Sequence, residues 1–395
     1  MRVIVTGCMA RSEMATATIT REDLPARPGT PTRGRPSRPR TAAASATSRT
    51  DSDSHVPVHQ SHQQMDVLNL RAHQPVHHQY LQDLRQLAAT EHPSGSRGPG
   101  LRPFEKMILA SSTRRQAIME LGRYGAFGRA TVLTTERARL LESLGYETVW
   151  QGGSPPADLS HAEALLDATG TLKVATGIVN VWTAPAVDVA RSYHRIEAAH
   201  PGRFLLGIGV GHPEATARYH SPYQTLVDYL DVLDAEGVPV ERRALAALGP
   251  RVLRLAATRT AGAHPYLVTP EHSRQAREVL GAGKLLAPEQ RVVLEADPAR
   301  ARALGRPSVV KPYLGLTNYT TNLQRLGFTA EDVAGEGSDR LIDALVVSGD
   351  DAEIRRRFEE HHHTGADHVA IQLIAGPGAD LDAGFRRLAG LLSLS

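Results

Sequence analysis

The chain has 395 residues, a formal net charge of +3 and one cysteine, Cys8. A single cysteine excludes an intrachain disulfide and is typical of a protein of the reducing cytoplasm. The apolar runs all stay below the roughly 18 residues that a membrane span needs. The sequence therefore predicts a cytoplasmic protein that does not cross a membrane.

The positive charge belongs to the N-terminal part. Residues 1–119 carry 16 Lys+Arg against 9 Asp+Glu, whereas the rest of the chain carries 29 against 33. Most of the protein is therefore mildly acidic, which argues against nucleic-acid binding by the protein as a whole.

Residues 1–119 read as a low-complexity extension. Residues 25–49 are largely Pro, Arg, Ser, Thr and Ala, and such a stretch cannot bury enough apolar surface to offset its chain entropy. Three interpretations remain open for this segment: a disordered extension, a start site assigned too far upstream, and a basic arm that binds nucleic acid. A start at Met107 or Met119 would remove most or all of the low-complexity segment. The histidines here lack partner cysteines and structural-metal spacing, so no metal site is predicted.

From residue 120 onward, short strands alternate with amphipathic helices. Thr134 is a plausible N-cap and Gly145 a stop for the first helix. Strands are predicted at 124–127, 148–150, 173–181, 204–208, 243–248, 263–268, 292–295, 345–348 and 368–374, and further helices at 186–199, 221–235, 251–259, 270–280 and 351–364. This rhythm over about 275 residues predicts an α/β fold of the (β/α)₈ TIM-barrel type. The alternative is a doubly wound sheet, which requires a Gly-rich turn and a helix directly after its first strand. The first predicted strand here is not followed by such a turn.

Two glycine-containing strands carry the first candidate site residues, because a barrel binds its ligands at the carboxyl ends of its strands. Gly177 interrupts strand 173–181, and a strand glycine often marks a close backbone approach to a ligand. Three alternating glycines, followed by His212, end strand 204–208 and leave space for a flat ring. Ordinary barrel packing is the alternative for the glycines, and a structural role is the alternative for His212.

An anion site is predicted at Leu248, Gly249, Pro250 and Arg251. Pro after Gly makes a well-formed helix start, whose free N–H groups and dipole favour a phosphate. An ordinary helix start is the alternative. Nearby, His264 is a candidate wall of the site. The run 361–363 of three histidines is interpreted as a solvated helix face, because successive helical positions point in different directions.

The order and spacing of these stretches resemble the luciferase-like monooxygenase superfamily, in particular its coenzyme F420-dependent oxidoreductase branch. The most specific stretches are 174–181, 202–212, 245–266 and 313–328, and the resemblance covers the chain from about residue 120 to 395. It implies a bacterial-luciferase-like TIM barrel behind an unrelated extension, and a homodimer by analogy.

The resemblance also implies roles for particular residues. A non-prolyl cis peptide between Gly177 and Ile178 would support the middle of the deazaflavin ring, and Asn180 would lie near the ring's polar edge. The coenzyme phosphate would bind at the turn 248–251. His212 stands where relatives have a ring-contacting acidic residue, so it is predicted to be a proton donor or ring-edge contact.

One difference from the family's sequence pattern limits the reactions that the resemblance predicts. Sugar-phosphate dehydrogenases of this branch carry an Asp-His pair where this chain has residues 151–154 (QGGS), which argues against sugar-phosphate chemistry. Trp150, directly before it, is predicted to wall the substrate pocket. The hypothesis is an F420-dependent oxidoreductase that moves a hydride to or from an unknown organic substrate. An FMN-dependent monooxygenase, a non-catalytic flavin-binding paralogue and an interaction protein using the basic arm are the alternatives.

Overall fold

The computed structural model describes residues 118–211 and 221–394. The predictions for residues 1–117 and for His212 therefore lie outside the described residues. No helix in the described part of the chain is long and apolar enough to cross a membrane.

The described residues form one all-parallel sheet that curls into a barrel. Its strands are β1 Tyr124–Arg129, β2 Thr148–Gly152, β3 Lys173–Gly177, β4 Val179–Asn180, β5 Phe204–Gly209, β6 Arg243–Leu245, β7 Gly262–Ala263, β8 Leu285–Leu286, β9 Glu289–Val292, β10 Val346–Val347 and β11 Val369–Leu373. They pair in the order β10-β9-β11-β1-β2-β3-β5-β6-β7-β8, with β4 on β5. Only two residues separate β8 from β9, so these two share one strand position. The ring of eight positions closes through β9 and β11, which confirms the predicted TIM barrel.

Helices connect the strands around the outside. They are α1 Thr135–Ser143, α2 Ser160–Asp167, α3 Ala186–Ala199, α4 Pro222–Ala235, α5 Pro250–Arg259, α6 Pro270–Leu280, α7 Pro298–Val310, α8 Thr317–Arg325, α9 Asp339–Leu345, α10 Asp351–His363 and α11 Leu381–Leu392. The Thr134 hydroxyl accepts a hydrogen bond from the N–H of Arg137, as its predicted N-cap role requires. Apolar side chains on the inner face of the helices pack on the outer face of the sheet and form the main core.

The barrel lumen has a core of its own, dominated by Trp150. This side chain is fully buried, and half of the other residues in its cluster are alanines. The lumen cluster comprises Met119, Leu121, Trp150, Ala175, Leu205, Ala244, Leu285, Ala287 and Ala370. Because alanine side chains are small, those on several strands leave room in the lumen for one indole, as close packing requires.

Residues 298–347 form an insertion between β9 and the helix that precedes β11. Its helices α7, α8 and α9 share a second core with the carboxyl ends of the strands. Val346 and Val347 then return to pair with β9 as a further strand. The insertion therefore lies at the end of the barrel where a site is expected.

Some predicted elements were wrong in extent or place. The strand predicted at 292–295 lies at Glu289–Val292, because its charged side chains Glu289 and Arg291 are buried in a pair, which breaks the apolar pattern. The strands predicted at 243–248 and 263–268 are longer than the observed β6 and β7. In both segments the backbone leaves the sheet at its carboxyl end.

The prediction that residues 361–363 are a solvated face was wrong for His361. Its ring is fully buried, Ser273 Oγ donates to Nδ1 at 2.8 Å, and Nε2 donates to Gln290 Oε1 at 2.8 Å. This network joins α10 to α6 and β9. Helix α10 turns one of its three successive histidines inward, which charge and composition did not indicate.

We expect the protein to lose stability steeply between pH 6.5 and about 4. Burial lowers the pKa of His264 and His361 to about 3 and that of His368 to about 4. Below pH 6.5 these histidines are protonated in the unfolded chain but stay neutral in the folded chain. Each of them therefore lowers the free energy of unfolding by about 1 kcal/mol for every pH unit below 6.5. The contribution is fully present above pH 6.5 and is lost as the pH falls towards these folded pKa values.

Urea midpoints at pH 7, 6 and 5 measure this effect. The variant His361→Phe has one such histidine fewer, so its midpoint should fall more slowly with pH than that of the wild type. Equal wild-type midpoints at pH 7 and 5 would contradict the assignment of neutral buried histidines.

Candidate active site

A glycine-rich layer covers the lumen core at the carboxyl ends of β2, β3 and β5. A Cβ on Gly177 would lie 2.7 Å from Phe127 Cε2, and one on Gly152 would lie 2.6 Å from Phe127 Cζ. A Cβ on Gly209 would lie 2.8 Å from Ile178 Cγ1. Phe127 and Ile178 therefore pack directly on the backbone of these strands and complete an apolar surface.

The peptide bond between Gly177 and Ile178 is cis, as the resemblance predicted. It separates β3 from β4, so the single strand predicted at 173–181 is two short strands. Ile178 is buried, and Asn180, two residues on, is 9% exposed. The Asn180 Oδ1 accepts a hydrogen bond from the Trp182 N–H at 3.0 Å, so its amide is held at the rim of this surface.

Trp150 lies one layer below this surface. Its Nε1 donates to His368 Nε2 at 3.0 Å, and its indole stacks on the His264 ring with 3.9 Å between centroids. The indole fills the lumen and does not line the cleft, so the structure gives Trp150 a supporting position and not the predicted wall.

His264 is a neutral hydrogen-bond acceptor. Its Nδ1 donates to the Ala287 carbonyl at 2.6 Å, which leaves the lone pair on Nε2, and Nε2 has no partner among the described residues. Because burial lowers its pKa to about 3, His264 cannot serve as an acid near neutral pH. It lies between Trp150 below and the cleft above.

A cleft of about 70 Å³ opens beside the glycine-rich layer, between the ends of β5, β6 and β7 and helix α8. Small and apolar residues dominate it, together with two tyrosines and one amide. It is lined by Val210, Gly211, Ala246, Ala247, Leu248, His264, Pro265, Tyr266, Asn318 and Tyr319. Sequence reasoning missed Tyr266, although alternation along the predicted strand 263–268 would have put it on the same side as His264. It also missed Tyr319, which the insertion supplies.

A buried ion pair anchors the insertion next to this cleft. Arg291 Nε lies 3.2 Å from Glu289 Oε1, and the Arg291 guanidinium lies over the Tyr313 ring at 4.7 Å. The other carboxylate oxygen of Glu289 accepts the Leu267 N–H at 3.1 Å. The pair has its charges and hydrogen bonds satisfied by these neighbours, so Glu289 is not a free base.

The predicted anion turn is a helix start flanked by two arginines. Gly249 is the N-cap of α5 and no side chain caps it, while Pro250 occupies the first turn. The Arg251 guanidinium lies on the Tyr223 ring at 3.8 Å. Arg325, at the end of α8, brings its Nη1 to 3.7 Å from where a Gly249 Cβ would be. Arg325 was missed because it comes from the insertion, remote in sequence.

A buried histidine fixes this turn. His272 Nε2 donates to the Leu248 carbonyl at 2.8 Å, and burial lowers the pKa of His272. The C=O and N–H of one trans peptide point in opposite directions. The N–H of Gly249, which belongs to the same peptide as the Leu248 carbonyl, therefore points away from His272.

The site carries no metal centre that these residues could build. No group of three or more His, Cys, Asp or Glu side chains in residues 118–211 and 221–394 is arranged to hold a metal ion. Its polar groups are instead phenols, amides, guanidinium groups and helix N–H groups.

Comparisons with known proteins fit this architecture. Residues 122–236 match the family model of luciferase-like monooxygenases. The predicted resemblance to the luciferase-like family is confirmed over these residues. No protein of curated function matches the sequence.

Three solved structures illustrate the likeness of the fold. An F420-dependent secondary alcohol dehydrogenase, in complex with an F420-acetone adduct, is 14% identical, covers 69% of this chain and 98% of its own, and has a TM-score of 0.54. The EDTA monooxygenase of Chelativorans sp. BNC1 is 12% identical over 69% of this chain and 93% of its own, with a TM-score of 0.51. The coenzyme F420-dependent tetrahydromethanopterin reductase of Methanopyrus kandleri is 15% identical over 69% and 98%, with a TM-score of 0.50. Two F420-dependent enzymes and a monooxygenase therefore share the fold of this chain.

We expect Trp150 to be shielded from solvent in the folded protein. The chain has two tryptophans, so the variant Trp182→Phe reports on Trp150 alone. Its fluorescence should be blue-shifted and barely quenched by acrylamide, because the indole lies beneath the glycine-rich layer. Trp150→Phe, which retains the partly exposed Trp182, is the matched control, and equal quenching in both variants would place Trp150 at an open pocket after all.

Proposed function

We propose that the protein is an F420-dependent oxidoreductase, which transfers a hydride between the deazaflavin coenzyme and a small organic substrate. The observation that carries the proposal is the arrangement of an apolar glycine-rich surface beside a cationic helix start. A deazaflavin needs both features, because its ring is flat and its side chain carries a phosphate.

The residues present fit such a coenzyme. The N–H groups at Gly249 and Arg251 and the guanidinium groups of Arg251 and Arg325 suit a phosphate. Ile178 and its cis peptide would support the ring, and the amide of Asn180 would contact its polar edge. His264 Nε2, buried and without a partner among the described residues, leaves an acceptor next to Gly177.

This fit assigns separate roles to the coenzyme and to the protein. When bound, the deazaflavin supplies or accepts the hydride at its central carbon. The protein binds the phosphate at the turn, holds the ring against Ile178 and keeps the lumen side dry through Phe127 and Trp150. His212 stays a predicted proton donor or ring-edge contact. Cytoplasmic location and a homodimer also stay predictions.

The second candidate is an FMN-dependent monooxygenase. FMN has a flat ring and one phosphate too, so the same surface and turn would accept it, and the family includes monooxygenases. A non-catalytic flavin-binding barrel would share the binding residues and lack turnover. The choice between these functions depends on which coenzyme binds and on whether it is turned over.

We expect F420 to bind more tightly than FMN, as measured by fluorescence titration of the purified protein. The double variant Arg251→Gln, Arg325→Gln should weaken F420 binding about 100-fold or more, since charge-assisted hydrogen bonds contribute about 1.5–3 kcal/mol each. The phosphate-free deazaflavin chromophore should bind both proteins equally.

The double variant Arg139→Gln, Arg386→Gln, which removes two exposed arginines from α1 and α11, controls for the loss of charge. Tight FMN binding without F420 binding would favour the monooxygenase, and failure of both coenzymes to bind would refute the proposed function. Equal loss of affinity for the phosphate-free chromophore would mean that the arginines do not bind the phosphate.

A further inference from the structure

A second cavity lies at the amino end of the barrel, opposite the candidate active site. The residues that line it come directly before, or begin, the strands β1, β2, β8 and β11. Its volume is about 510 Å³, whereas one water molecule takes up roughly 30 Å³. The cavity therefore has room for several side chains of a peptide segment.

The inner wall of this cavity is the lower edge of the lumen core. Leu121 and Leu285 belong to the lumen cluster and also line the cavity. His368 lines it too, and the His368 ring accepts the hydrogen bond from the Trp150 indole. An apolar occupant would thus cover the underside of the core that supports the candidate active site.

The described part of the chain begins in the wall of the cavity. Ile118, Met119 and Leu121 all line it, so the 117 residues that precede Ile118 are attached at its mouth. A segment tethered by a short linker has an effective concentration of about 1 mM at such a place. The preceding segment of the same chain therefore has an advantage over a second copy or a free partner.

The sequence of that segment suits the cavity. Residues 104–109 (FEKMIL) are an apolar block within residues 101–117, unlike the Pro- and Arg-rich stretch at 25–49. Eight residues separate this block from Ile118, and at up to about 3.3 Å per residue they can fold back over the mouth. The cations on either side or inside the block are Arg102, Lys106, Arg114 and Arg115.

The charges at the rim of the cavity complement those cations. The rim has three carboxylates and two cations. Arg123 is paired with Glu359 at 2.6 Å, and the Lys284 ammonium donates to a backbone carbonyl at 2.7 Å. Glu120 is exposed and forms no ion pair with residues 118–211 or 221–394. Exposed ion pairs contribute little to stability, so these charges orient the segment, while burial of the apolar block holds it.

We propose that residues 104–109 of this chain occupy the cavity at the amino end of the barrel. Their apolar side chains pack against Leu121 and Leu285 and remove the lower edge of the lumen core from water. The part of the chain that belongs to the barrel then begins at or before residue 104. A protein starting at Met119, which is 6% exposed, would lack this cover and would bring a charged amino group to a buried wall.

The first test measures the accessibility of a thiol in the full-length chain. Cys8→Ser removes the one cysteine, and Ile108→Cys or Ser112→Cys then introduces a thiol inside the apolar block or just after it. The thiol at 108 should react with Ellman's reagent about 10-fold or more slowly than the thiol at 112, because it is reached only after local opening. Both should react equally in denaturant. Equal rates in native buffer would overturn the proposal.

The second test locates the apolar block. In the Cys8→Ser chain, Ile108→Cys is combined with Glu147→Cys at the rim, or with Asp188→Cys at the start of α3 as the matched control. The two rim and control side chains have similar exposed fractions, 55% and 50%, but Asp188 follows the carboxyl end of the sheet. A short bismaleimide should join positions 108 and 147 within one chain and should not join 108 and 188, as read by peptide mass spectrometry.

The outcomes distinguish the occupants of the cavity. A cross-link from 108 to 147 that joins two chains would mean that a second copy supplies the segment, and it would overturn the proposal. A protected thiol at 108 without the cross-link to 147 would place the block elsewhere and would also overturn it. Neither test uses a coenzyme, so their results are independent of the proposed function.

Discussion

The filling of the barrel lumen is the constraint on which the rest of the structure depends. A closed ring of eight parallel strands encloses a volume that side chains must occupy at crystal-like density. Here the largest side chain of the lumen cluster is one indole, Trp150, and alanines on the surrounding strands make room for it. Two neutral histidines, His264 and His368, hold the indole by stacking and by a hydrogen bond.

The filled lumen makes the layer above it possible. Because Trp150 and Phe127 fill the lumen beneath the strand ends, glycines there lose no core packing and leave the strand backbone open to close contacts. The site therefore has two unlike sides. Strands β2 to β5 give the apolar side, while β7, β9 and the insertion give phenols, an amide and arginines.

The insertion explains why the candidate site was only partly predictable. The turn 248–251 has a local cause, a Gly-Pro helix start, and strand alternation could have indicated Tyr266. Arg325 and Tyr319 come from α8, more than 50 residues beyond β7, and no local pattern joins them to the turn or the cleft. The position of β9 was likewise mispredicted because of the buried pair Glu289 and Arg291. Charged residues in a sequence normally indicate an exposed segment, not a buried strand.

The sequence by itself determined the alternation of strands and helices, the glycines at strand ends and the helix start at Gly249, because each follows from the short-range preferences of the backbone. The tertiary structure alone decided that Trp150 lies in the lumen, that His361 points inward and that Arg325 joins the anion turn. Those positions depend on volumes and charges brought together by closure of the barrel, which neighbouring residues along the chain do not encode.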